Sequence, residues 1–398
     1  MDINSTKGHI VDPLYQTHPH AKGKALPADG KFNILSLPVD DGGCGWYRVR
    51  QYMQELNRQG LANIYILKGD ESEGEIAQSI EVADVIVARN GTAPFVRQIR
   101  SMDPDKPIVF DHDDNTFKIA ASNEHYKDHG TEDVVVDTPD GELDLWVTGN
   151  TKGFNRYNNL WRRKELEFLL QASDLNTSPT EKLSSFWAEF NGSAAVTPNA
   201  IDFELYPDVE FTDRQKGDEF RIGWQGGVSH MGDFDTVGKH IKHFIRSYKD
   251  VYYYTVGSSY DVFFKGVENK IRKFEWLPFK AHPYRMATLD LDLAVIPLQD
   301  IDFNDYKSEV KFSEFAALGV PVLVANRLPY VVGKDICVDG VNCLTYDTDL
   351  EFRDKLAQLH KDGALRKKLS KNAYEWVREE RDLSDWTPKL LNLYKELV

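Results

Sequence analysis

The sequence predicts an α/β fold of two doubly wound halves that face each other across a cleft. Short apolar runs of four to six residues alternate with helix-like stretches along most of the chain, the pattern of parallel strands joined by crossover helices. A strand, a glycine-rich loop and a helix occur in that order twice, first from Phe32 and again from Phe220. The length of 398 residues holds two such units.

The first half opens with a strand at Phe32–Leu37, a polar glycine-rich loop at 40–45 and an amphipathic helix over Tyr47–Arg58. Further strands are expected at Asn63–Leu67, Val85–Val87 and Pro107–Phe110. The acidic stretch 118–158 breaks the rhythm and reads as an insertion with one hairpin turning at Pro139-Asp140-Gly141. A helix follows over Leu160–Ala172, then a strand at Asp174–Thr177, a helix capped by Thr180 and running through Phe190, and a strand at Ala194–Thr197. Residues 200–218 are polar, contain Pro207 and read as the linker. The second half then runs through strands at Phe220–Trp224, Val251–Val256, Ile271–Trp276, Leu291–Ile296 and Val320–Val324, with a charged helical stretch from Leu350. Trp376 and Trp386 on that stretch read as packing anchors.

The resulting expectation is a flexible segment at 1–30, a first domain at 31–205, a second domain at 206–375, and a C-terminal helix at 376–398 that crosses back onto the first domain. Ligands of such sheets bind beyond the carboxyl ends of the strands, where both glycine-rich loops sit.

Composition narrows the class. The chain is 41% hydrophobic and 28% charged, with a net charge of −15. That balance disfavours a polyanionic partner, since duplex affinity comes largely from lysine and arginine on phosphate; a local basic groove could still act within it. No apolar run is long enough to span a bilayer, and the N-terminus carries His18, His20, Lys22 and Lys24 where a signal peptide would be apolar. The three cysteines, Cys44, Cys337 and Cys343, form no CxxC pair. A reducing, cytoplasmic setting without structural zinc is expected.

The segment Lys307–Val324 carries the most chemistry: a loop with two lysines, a helix with an acid near its start, a glycine stop and a buried strand. Cations and a helix N-terminus suit phosphates, while a carboxylate accepts hydrogen bonds from a vicinal diol. Lys307 and Lys311 are therefore candidates for a diphosphate and Glu314 for a ribose. The bland reading is solvated charge on a loop and an acid placed by the helix dipole. Gly226 and Gly227 allow backbone to approach a phosphate, and His230 could donate to one or cap the next helix. Gly43, with Gly42 and Gly45, fits a tight loop under the same ligand.

Asp111-His112-Asp113-Asp114 ends a strand where doubly wound sheets place working residues. Three readings stand open: a divalent metal site, an acceptor-orienting group with one carboxylate as base, or a structural cap. Arg48 could meet a phosphate or acceptor, or pair with an acid.

Several of these segments match a family. Gly42-Gly43-Cys44-Gly45-Trp46-Tyr47-Arg48, Ser173–Thr180 with Thr197–Asp202, Ile222–Gly227 and Lys307–Val324 together resemble the GT-B glycosyltransferases. The closest resemblance is to the retaining, family-4-like group that includes bacterial enzymes and phage relatives, over roughly residues 32–390. It implies two Rossmann-like domains, a nucleoside-diphosphate sugar as donor (a UDP-sugar ahead of a GDP-sugar), no tightly bound cofactor and no metal. The donor diphosphate would meet Gly43, Gly226, Gly227, His230, Lys307 and Lys311. Glu314 would bind the ribose, and Trp276, Leu277 and Pro278 would receive the base. His112, Asp113 and Asp114 would contact acceptor or sugar as the catalytic group.

The chain departs from that family in two places. The usual second acid, eight residues before Glu314, is Tyr306 here, and the usual arginine and lysine after the phosphate loop give way to Ser229-His230. The phage relatives make DNA with hydroxymethylated bases one expected acceptor, reached by base flipping. Arg162, Arg163 and Lys164, or Lys239, Lys242 and His243, would be its phosphate contacts. Polysaccharide or other glycan acceptors, or a degenerate protein that binds nucleotide sugar or glycan without turnover, are the alternatives.

Overall fold

In the computed structural model, residues 26, 30–211, 219–331 and 336–398 are described. Most of the expected N-terminal segment and part of the 200–218 linker lie outside the described residues.

Two six-stranded, all-parallel sheets form the centres of two lobes. The first contains β1 (Asn33–Ser36), β2 (Asn63–Ile66), β3 (Val85–Ala88) and β4 (Ile108–Asp111). An antiparallel hairpin of β5 (Val134–Thr138) and β6 (Gly141–Trp146) interrupts it before β7 (Leu175–Ser178) and β8 (Ala194–Val196) complete the sheet. Its order is β2-β1-β3-β4-β7-β8.

The second sheet is built from β9 (Phe220–Gly226), β10 (Val251–Gly257), β11 (Ile271–Phe274), β12 (Leu293–Ile296), β13 (Val322–Ala325) and β14 (Leu344–Tyr346). Its order, β11-β10-β9-β12-β13-β14, reverses direction between β9 and β12. The expected fold of two Rossmann-like lobes is the observed one, with crossover helices on both faces of each sheet. β14 has only three residues and leaves little apolar signal in the sequence. β11 ends at Phe274, so Trp276 falls in the loop that follows.

The helices keep the expected order. α1 (Gln51–Arg58) is entered through a π-helical turn at Trp46–Arg50, a widened turn that recurs at functional sites. α2 (Glu73–Val82) starts in a capping box formed by Ser72 and Glu75. α3 (Ala93–Met102) precedes β4, and α4 (Arg156–Ala172) starts four residues earlier than Leu160, where Asn155 caps it. α5 (Glu181–Asn191) has Thr180 at its N-cap, as expected. In the second lobe α6 (Gly238–Ser247), α7 (His282–Thr288) and α8 (Val310–Ala317) alternate with strands.

Three helices close the chain: α9 (Asp349–Lys361), α10 (Gly363–Glu380) and α11 (Leu383–Lys395). α10 packs on α8, with the Trp376 ring 5.7 Å from Phe312. The helix breaks at Arg381-Asp382, where Asp382 bridges to Ile201. α11 then lays Leu383, Leu390, Leu391 and Tyr394 into the first lobe's core beside Ile34, Val49 and Tyr52. Burying those four side chains contributes about 1.5–3 kcal/mol each, an upper range for full burial. The chain's end therefore fastens the two lobes together. No helix among the described residues is long and apolar enough to cross a membrane.

Candidate active site

Loops at the carboxyl ends of β1, β4, β9, β11 and β12 line one interlobe cavity of about 810 Å³. That volume lies within the range of small-molecule sites.

From the second lobe come Gly226 and Gly227 at the end of β9, then Ser229 and His230. A Cβ at Gly226 would stand 2.6 Å from the Trp224 ring, so no larger residue fits there without displacing that buried tryptophan. Gly227 meets nothing within 4 Å and leaves the backbone open to the cavity.

Lys307, Lys311 and Glu314 line the same space. Glu314 lies in the second turn of α8, not at its start; the residue before α8 is Glu309, whose buried carboxylate takes a 2.5 Å bond from Arg381 Nε. Glu314 Oε1 accepts from the Tyr47 hydroxyl at 2.6 Å and Oε2 from Gln225 Nε2 at 2.7 Å. Burial pushes the Glu314 carboxyl up to about 7, against the lowering pull of Tyr47 and Lys311. Gln225 is held in turn by His282 Nε2 at 2.6 Å.

Lys311 Nζ lies 2.9 Å from His230 Nε2, and His230 Nδ1 lies 2.7 Å from Asp233 Oδ2. Burial, reinforced by Lys307, lowers the Lys311 amine to about 8. Burial, reinforced by Lys311, lowers His230 to about 3, so the ring is neutral. The Lys307 amine rests 4.7 Å over the Phe303 ring.

Trp276, Leu277, Pro278 and Phe279 form another wall. Trp276 packs on His282, with ring centroids 4.5 Å apart, and remains 43% exposed. Phe279 reaches the first lobe: Trp46 stacks on it at 5.8 Å, and a Cβ on Gly43 would lie 3.5 Å from its ring. Gly45 is fixed by its own strand exit, since a Cβ there would sit 2.1 Å from the Asp40 carbonyl oxygen.

The first lobe adds Asp113, Asp114 and Thr116, with Asn123, His125 and His129 from the insertion. His112 does not line the cavity. Strand alternation turns its side chain inward, where it stacks on Trp187 at 5.8 Å, and burial lowers it to about 4. Asp111, on the opposite side from His112, is buried too and is committed to Arg48, Arg89 and Thr177 at 2.7–2.8 Å. Arg48 is thus a buried partner of Asp111, with further bonds to Thr197 and Asn199, and meets no ligand space. Among the described residues no group of three or more His, Cys, Asp or Glu side chains is placed to hold a metal ion.

Arg89 carries one more charge-assisted bond, 3.2 Å from Asp113. Burial is the largest single influence on the Asp113 carboxyl and would raise it, but Arg89, His112, Cys44 and Arg48 together outweigh it and hold the group at about 2. Asp113 is therefore ionised and weakly basic. The sequence reading missed Arg89, Tyr47 as a partner of Glu314, Asp233, His125 and His129. Tyr306, at the position of the family's second acid, is buried against Phe186 of the first lobe with Lys182 over its ring, outside the cavity lining.

No protein-family profile and no curated protein sequence matches the chain. Its fold is shared with solved structures. HepE of Anabaena in complex with UDP superposes with a TM-score of 0.57 at 14% identity, covering 92% of this chain and 100% of that one. A sucrose-phosphate synthase from Thermosynechococcus elongatus gives 0.60 at 11% identity, with coverage of 92% and 99%. A glycosyltransferase from Rickettsia africae gives 0.55 at 13%, again with 92% and 99%. The chain thus has the two-lobed GT-B architecture of these proteins. Anabaena HepE has also been solved with UDP-glucose.

Proposed function

We propose that the chain is a glycosyltransferase that moves a sugar from a nucleoside-diphosphate donor to an acceptor hydroxyl. One observation carries the reading: Lys307, Lys311, Gly226-Gly227 and Glu314 converge on one interlobe cavity, the set a diphosphate and a ribose diol require. The complexes of HepE with UDP and UDP-glucose support a UDP-sugar as donor.

In this reading the diphosphate lies between the Gly226-Gly227 turn and the two lysines. The ribose hydroxyls donate to Glu314, and the base rests by Trp276, Leu277 and Pro278. The lysines stabilise the charge that develops as the diphosphate leaves. The lobe contact of Phe279 with Trp46 helps exclude water that would hydrolyse the donor.

Asp113 faces the sugar side as a fixed negative charge that stabilises positive charge on the reacting sugar. Its low basicity disfavours Asp113 itself as a proton acceptor, and retention of configuration is proposed on the resemblance to the retaining group. His112 positions the wall from behind, and Asp41 and Asp114 are the other acids on that wall.

Among the described residues, the first-lobe wall of the cavity is lined by no lysine or arginine and carries Asp41, Asp113 and Asp114. We therefore favour an uncharged glycan hydroxyl as acceptor over a DNA backbone, whose phosphates that wall would repel. Of the basic residues considered for DNA, Arg162 is paired with Asp128 and Lys239 with Asp349. The test is a transfer assay with UDP- and GDP-sugars, comparing neutral glycosides with hydroxymethylated DNA. Release of UDP that rises with a neutral glycoside supports the reading; binding without turnover under every condition points to the degenerate alternative.

A further inference from the structure

We propose that Asp233 is a positioning residue: it fixes the His230 tautomer so that the free ring nitrogen receives Lys311 and aims its ammonium into the cleft. The inference rests on the donor-site reading above and deepens it.

Asp233 is buried and held from three directions. Its Oδ1 accepts from the Gln299 backbone N–H at 2.9 Å and from Asn304 Nδ2 at 2.8 Å, while Oδ2 faces His230 Nδ1 at 2.7 Å. An ionised carboxylate only accepts, so Nδ1 carries the ring proton. Nε2 then presents a lone pair, and Lys311 Nζ donates to it at 2.9 Å. The low basicity of both His230 and Asp233 in this setting agrees with that assignment.

The arrangement solves an electrostatic problem. A carboxylate in direct contact with Lys311 would orient it but cancel its charge. A neutral imidazole orients it and leaves the positive field in place for a diphosphate, with the Asp233 charge one ring away. Of the three N–H groups of the ammonium, only one is spent on His230. The other charged groups facing Lys311 are Lys307, Glu314 and Asp114. This device stands where the resembled family carries its own arginine and lysine.

The substitution Asp233→Asn tests it. Two N–H donors face Oδ1, so the amide oxygen must stay on that side and the new NH₂ turns to the ring. That forces the proton onto Nε2, pointing at the ammonium. UDP binding, measured by calorimetry on the full chain, should weaken about tenfold or more. His230→Gln keeps a carbonyl oxygen for Lys311 and should lose clearly less affinity than Asp233→Asn, although it removes a residue of the donor site itself. The double variant should match His230→Gln, because without the ring the aspartate has nothing to orient. His230→Phe provides a second route should Asp233→Asn fail to fold, and it should lose as much affinity as Asp233→Asn.

Unchanged UDP affinity in Asp233→Asn or in His230→Phe overturns the proposal. So does an Asp233→Asn cost that is equal with and without the ring, since that marks a purely structural carboxylate. If the parent chain binds neither UDP nor GDP, the donor-site reading fails instead.

Discussion

Tyr47 of the first lobe donates its hydroxyl proton to Glu314 of the second at 2.6 Å, across 267 residues of chain. This contact joins the two lobes at the carboxylate assigned to the donor ribose. Tyr47→Phe leaves a buried carboxylate with Gln225 as its remaining side-chain donor. The expected cost is about 1.5–3 kcal/mol, the range for a hydrogen bond to a charged group. Chemical denaturation of the unliganded protein measures it.

Glu314 makes stability depend on pH. Its carboxyl titrates at about 7 in the fold against an ordinary value of 4.5. Between those values the folded chain holds a proton that the unfolded chain has released. Stability from this group is therefore highest below pH 4.5, falls as pH rises towards 7, and is level above. The full span is on the order of 3 kcal/mol. Glu314→Gln should flatten that slope in denaturation curves taken at pH 5 and pH 8. The same variant should weaken UDP binding by about tenfold at pH 8, where the parent carboxylate is charged.

Lys311 should show a conflict between stability and function. Its amine is lowered from 10.5 to about 8, so holding the charge at neutral pH costs folding energy. That cost is greatest below pH 8 and disappears as pH rises through 10.5. Lys311→Met should raise unliganded stability by about 1–2 kcal/mol at pH 7, after allowance for the half-buried state of the side chain. It should lower the rate of sugar transfer by about a hundredfold or more. Thermal denaturation and a transfer assay on one preparation measure both.

The pair Glu309–Arg381 joins the start of α8 to the segment that leads back to the first lobe. Both groups are buried, so Arg381→Met leaves an unpaired carboxylate beside the residues that carry the site. A loss of about 3–5 kcal/mol is expected, read from the midpoint of urea unfolding.

The fold was legible because its signals are local. Val85–Ala88 and Leu293–Ile296 are fully buried apolar runs, and each stands between helical stretches. Gly226 stood out because it ends such a run, and Lys311 and Glu314 because charged residues open an otherwise apolar helix; the structure brings all three to one cavity. The pairings were not. In sequence Arg48 stands open between a ligand contact and an acid partner, and Arg89 carries no signal, yet both are buried on Asp111, 63 and 22 residues away. No periodicity marks a salt bridge over that distance. His112 could have been separated from Asp113, because neighbours at a strand end point to opposite sides. His125 and His129 lie in the acidic insertion, whose lack of regular pattern hid the wall they form.

A crystal structure with UDP bound decides where the donor sits. The diphosphate is expected between Gly227 and Lys311, within hydrogen-bond reach of the lysine, with both ribose hydroxyls on the Glu314 carboxylate. A nucleotide bound outside the interlobe cavity, or one inside it with its ribose turned away from Glu314, would contradict the donor-site reading.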